Sequence, residues 1–314
     1  MLHITVPHLF CVCVSLLQTA ALAAIVASAR KSGHIVMYLP DGDRLRKLGY
    51  YVRPNQHRGD EKLFDLPVIA KEVCRELLDS HQEDLEGMTV AFDVASQYLS
   101  PDNISRIFEN EEDASPIDLA LVDLLEAGSE SNTLSSGCYS AVVHSLMNQT
   151  EKPFVVVMDE FNCYFDYGHY YHEAYDPKVE FAIPPQKITL FRPLLGAMGL
   201  EKSETVKGLP VAVDPVCISR GAIVVGTTES RSVAGKFTST LEAVLAEQED
   251  SVKVVDVTAF SPLEVDHVLA NYECIGIGRL RFDRGSTVMN EQEVAYLRMV
   301  SGGVGQKLLD ASIV

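Results

Sequence analysis

Apolar residues recur along this chain with two periods. The clearest run is Phe154-Val155-Val156-Val157-Met158, followed at once by Asp159-Glu160. An unbroken β-branched run predicts a strand buried on both faces, as in a parallel sheet. His34–Leu39, closed by Pro40-Asp41-Gly42, predicts a second strand; Gly221–Thr228 and Lys253–Val257 predict a third and a fourth. Helical spacing appears between them. Pro67 opens a helix through about Asp79, with Val68, Ile69, Val73, Leu77 and Leu78 on one side. Ile117–Leu125, Cys138–Gln149, Ser239–Gln248, Asn290–Val300 and Gln306–Ile313 also read as helices. Ser261-Pro262-Leu263-Glu264 forms a capping box, with Pro at the first helical position, opening a helix to about Tyr272. Strands alternating with helices predict a parallel α/β sheet, and the helical end predicts a cap or lid.

The beginning of the chain supports two readings. Leu9–Ala29 carries no charged residue, and Arg30-Lys31 follow. Its length reaches that of a transmembrane helix. Against that, no Lys or Arg precedes the run, Ser15, Gln18 and Thr19 interrupt it, and its second half is mostly Ala. A buried helix closed by basic residues and Gly33 is the other reading.

Composition narrows the partners. The formal net charge of −18 argues against a broad electrostatic footprint on nucleic acid. The seven cysteines are scattered without a C-x-x-C pair, which suits free thiols in a reducing compartment. His169, His172 and Glu173 sit in an aromatic, acidic segment, where a surface or interface loop is expected rather than a metal site.

Asp159 and Glu160 stand where the central strand ends, at the sheet edge where α/β proteins bind ligands. That is the form of a Walker B element, in which a carboxylate handles Mg²⁺ beside a nucleotide. A core strand ending in a solvated acidic turn has the same form. The companion phosphate loop, G-x-x-x-x-G-K-[ST], is not found. Gly235-Lys236 is followed by Phe237, and Gly302-Gly303-Val304-Gly305 lacks a lysine. Before the first helix the chain reads Ser15-Leu16-Leu17-Gln18-Thr19, with Gln18 in the lysine position and no glycine.

Taken in order, several segments resemble the death-associated protein 3 family of the mitochondrial ribosome. They are Thr19–Leu39 with Pro40-Asp41, Asn55–Pro67 with Phe64-Asp65-Leu66-Pro67, Val155–Asp166, Gly221–Thr228, Phe260–Glu264 and Leu297–Leu309 with Ser301-Gly302-Gly303. The resemblance implies a P-loop NTPase-like, AAA-related α/β domain over residues 19–258 and a helical lid over 259–314. It implies GTP, or ATP, bound with Mg²⁺ by Thr19, Asp159, Glu160 and Thr228. Thr19 would supply a hydroxyl to the metal, Asp159 would hold it through water, and Thr228 would reach the γ-phosphate. Glu160 would polarise a water only if hydrolysis occurs. The implied role is a structural, non-enzymatic component of the mitochondrial small ribosomal subunit in the matrix, docked on ribosomal proteins with limited rRNA contact and no membrane. Residues 1–18 do not match and read as a gene-model artefact, so the first strand and the P-loop are expected to be missing. The competing expectations are an AAA-related ATPase or GTPase switch, and a membrane-anchored protein.

Overall fold

A computed structural model of the chain describes residues 9–13, 15–46, 51–55, 63–108, 118–161, 168–172, 180–183, 187–197, 218–227, 252–256, 260–275, 291–303 and 305–313. At its centre lies an all-parallel sheet of β1 (Leu9–Cys13), β2 (Ile35–Leu39), β3 (Phe154–Met158), β4 (Gly221–Thr227) and β5 (Val252–Asp256), in the order β5-β1-β4-β3-β2. The expected missing first strand is therefore present. Leu9–Cys13 pairs with β4 on one side and β5 on the other, as the second of the five strands.

The uncharged run of Leu9–Ala29 is thus divided between β1 and a helix, α1 (Ser15–Lys31), instead of forming one continuous span. Among the described residues no helix is long and apolar enough to cross a membrane. Leu22, Val26 and Ala29, one helical face of α1, pack on Val36, Val155, Val157 and Val224. Alternate residues of the same strands, among them Ile35, Met37, Phe154, Val156, Ile223 and Val225, face the main core. That opposite face is covered by α2 (Pro67–Leu85), α3 (Leu121–Glu130) and α4 (Ser135–Asn148), which pack on one another. All five residues of β3 are buried. Burial of side chains that size contributes roughly 1.5–3 kcal/mol each by transfer.

α2 breaks at His81 (φ −139°), close to its expected end at Asp79, and the chain then resumes the helix to Leu85. Residues 118–120, expected as the start of a helix, form a short antiparallel strand with 89–91, and α3 follows. Within the aromatic segment, Gly168–His172 is a strand paired to 51–54 and 180–183 in a second sheet. The helix expected at Ser239–Gln248 lies outside the described residues. The C-terminal helices α5 (Pro262–Ile275), α6 (Glu291–Ser301) and α7 (Gly305–Ile313) pack around Val265, Leu269, Leu297, Leu308 and Ala311. α7 rests against α1. The capping box is formed: the Ser261 N–H donates to Glu264 at 2.8 Å, and the Glu264 N–H donates to Ser261 Oγ at 3.3 Å.

Gly221 opens β4 with φ +147°, and a Cβ there would meet the Phe154 carbonyl oxygen at 1.8 Å. The expected cost of Gly221→Ala is about 2–4 kcal/mol, from backbone strain plus a clash with an immovable carbonyl. Urea unfolding measures it, and an unchanged midpoint would refute this account of the β3–β4 start.

His81 guards the outer edge of β2. Its Nε2 accepts the Val36 N–H at 3.0 Å, so its proton sits on Nδ1, 3.3 Å from Asp84 Oδ2. Burial holds the imidazole pKa below the ordinary 6.5, although the Asp84 hydrogen bond works the other way. The folded state thus binds its proton less readily than the unfolded chain. This contribution to stability is complete above about pH 6.5 and is lost as pH falls through the depressed folded value. Unfolding free energy should drop more steeply below pH 6.5 in the wild type than in His81→Gln; parallel pH profiles would exclude the role.

Candidate functional site at the carboxyl edge of the sheet

Because all five strands are parallel, Cys13, Leu39, Met158, Thr227 and Asp256 end on one edge. The chain leaves β3 there through Asp159, whose N–H donates to the Leu39 carbonyl at 2.9 Å. This continues the sheet by one bond and draws the Asp159 carboxylate inward, to 3% exposure. A buried carboxylate needs donors. Asp159 Oδ2 accepts the Thr19 hydroxyl at 2.5 Å, and Oδ1 accepts the Glu160 N–H at 2.8 Å. Glu160 turns the chain with φ +52°, the only non-glycine residue with positive φ among those described. The Tyr38 phenol is pushed above its ordinary pKa of 10.0, first by burial and then by the charges of Asp159 and Glu76.

Thr19 and Asp159, 140 positions apart, are therefore in direct contact, and Glu160 is the next residue along. Thr228 lies outside the described residues. A hydroxyl beside two successive carboxylates suits Mg²⁺ chemically, as a hard cation with oxygen ligands. Here the Thr19 proton points at Asp159. Among the described residues no group of three or more His, Cys, Asp or Glu is placed to hold a metal.

The phosphate half of such a site does not fit. A phosphate loop needs several residues between strand and helix, with glycines that bring their amides to the ligand and a lysine. Between the end of β1 at Cys13 and the start of α1 at Ser15 there is one residue, Val14. No glycine occurs before Gly33. The Thr19–Asp159 bond instead ties the helix over the sheet to the strand beneath it.

No sequence pattern announces that bond, since its partners are far apart along the chain. Only the order of the family-like segments had paired Thr19 with Asp159. The left-handed turn at Glu160 had no sequence signal either, because Glu is not a residue that favours it. Thr19→Val removes the donor and leaves a buried carboxylate one bond short, at an expected cost of about 1–2 kcal/mol. Unfolding measured with no nucleotide present tests this, and a variant as stable as the wild type would show that the bond contributes nothing.

A search of curated proteins finds no match to this chain. The family profile described as mitochondrial ribosomal death-associated protein 3 matches residues 18–310. The match begins one residue before Thr19, takes in β2 to β5 of the sheet, and ends within the C-terminal helix α7. It leaves out only the first 17 and the last four residues, and so the chain belongs to the mitochondrial ribosomal death-associated protein 3 family.

Proposed function

We propose that this protein is a structural, non-enzymatic subunit of the mitochondrial small ribosomal subunit, built on a P-loop NTPase-like sheet with a helical lid. The observation that carries the reading is the family match, which runs through both sheet and lid. The strand order β5-β1-β4-β3-β2 supports the NTPase-like part. It puts the acidic strand end of β3 one strand away from β1, with only β4 between them. The net charge of −18 supports docking on neighbouring ribosomal proteins with limited rRNA contact.

Purine nucleotide, GTP or ATP with Mg²⁺, is the ligand that the family resemblance suggests. Thr19, Asp159 and Glu160 are the residues that would meet the metal. The single-residue link between β1 and α1 gives the phosphates no cradle, and no step is routed through a nucleotide. An active ATPase or GTPase switch is the second reading. Glu160 favours it, held in a strained turn at the end of β3.

Sedimentation tests the main reading. Tagged protein from mitochondrial lysates is expected to travel with the small subunit through a sucrose gradient at high salt. Protein confined to the top of the gradient would sink the structural role. On the same preparation, equal background turnover of nucleotide by wild type and Glu160→Gln would sink the switch reading.

A further inference from the structure

A second polar site lies away from the Thr19–Asp159 pair, at the N-terminus of α4. The helix has Leu134 at its cap position, with no side-chain cap. Its first-turn amides therefore lack intrahelical acceptors. The Ser135 N–H is taken up by the Ser131 carbonyl, and the Ser135 hydroxyl donates to Pro67 and Asn132 carbonyls. Ser136 is different. It is 5% exposed, and its Oγ has no hydrogen-bond partner. A buried hydroxyl left unpaired costs about 1–3 kcal/mol, so an orphan of this kind points to something that completes it.

Ser136 lines a small inner pocket with Asn55, Ser140, Thr189 and the buried Arg192. This pocket shares Asn55, Tyr98 and Gly137 with an adjoining outer cleft of about 380 Å³. Arg53, Ser100, Asn103 and Thr133 line the cleft. Gly137 is required by the close approach of the wall: a Cβ there would meet the Tyr98 carbonyl oxygen at 2.7 Å. The only carboxylate along either part, among the described residues, is Asp65. It already accepts from Asn55 Nδ2 at 3.0 Å and from Thr189 Oγ1 at 2.7 Å, and Arg53 Nε is 3.7 Å away.

A helix N-terminus and an orphan hydroxyl, with the charge of Arg192 on the same pocket, make an anion site. The outer cleft is too large for a bare ion and falls in the size range of small-molecule pockets. We propose that the cleft binds a small phosphate monoester. The phosphate sits at Ser136 and the first turn of α4, and the organic part occupies the space between Arg53 and Asn103. Asp65 sets the direction: its charge disfavours the phosphate in the outer cleft and favours polar hydroxyls there.

The test titrates the full chain, in EDTA so that no metal-nucleotide site contributes, with inorganic phosphate, ribose 5-phosphate and GMP. Calorimetry and the thermal midpoint are the readouts. Saturable binding of a monoester is expected, with inorganic phosphate at least about tenfold weaker and Ser136→Ala about tenfold weaker for the ester. Lack of saturable binding by any probe overturns the proposal, as does binding that Ser136→Ala leaves unchanged. Equal affinity for phosphate and ester also overturns it, since the result is then an adventitious ion only. If Ser136→Ala does not fold, the backbone amide resonances of Ser136 and Gly137 decide in the wild type. They shift on titration if the anion docks there, and resonances that stay fixed overturn the assignment.

Discussion

The structure depends on burying both faces of β3. Its five residues are apolar throughout, so no face of this strand can be left to water. Val155 and Val157 call for a helix on one side, and α1 supplies Leu22, Val26 and Ala29. Phe154, Val156 and Met158 call for a thicker layer on the other, supplied by α2, α3 and α4 with the main core between them. The neighbours β2 and β4 repeat the same alternation, and the all-parallel direction follows from joining such strands through helices. The edge guard at His81 and the glycine at the start of β4 matter because they let β2 and β4 sit against β3 without an unpaired amide or a clash.

The site is a consequence of where that strand stops. One more sheet hydrogen bond, from Asp159 to Leu39, carries a carboxylate below the surface, and there it takes hydrogen bonds from Thr19 and Glu160. In a nucleotide site this corner is completed from the loop before α1. In this chain the loop is reduced to Val14, and the corner is completed from within by the Thr19 hydroxyl. The same atoms that would suit a metal are thereby used to hold α1 on the sheet.

How far this was legible in the sequence differs by element. β3, β2 and β4 were legible because a run of buried β-branched residues has few other solutions, and α5 because Ser261 and Glu264 spell out its cap. β1 was not. Leu9–Cys13 merges into Leu16–Ala29 without a turn residue, so period and composition show one long apolar run where the fold makes a strand and a helix. The extension of α2 beyond Asp79 was hidden for a related reason. His81 is a helix interruption that is held by a tertiary bond to Val36, and no local propensity encodes it. The α4 cleft was invisible because its walls come from residues 53 to 193, and its distinguishing feature is a hydroxyl that lacks a partner.

The C-terminal helices bear on α1 as well. They have their own small core, yet α7 leans on α1, the helix that Thr19 fastens to Asp159. A bound ligand stabilises a fold by mass action, so its contribution rises and falls with ligand concentration. An internal hydrogen bond does not rise and fall with ligand concentration. The Thr19–Asp159 bond ties α1, and with it the C-terminal helix that leans on α1, to the sheet through the chain's own atoms.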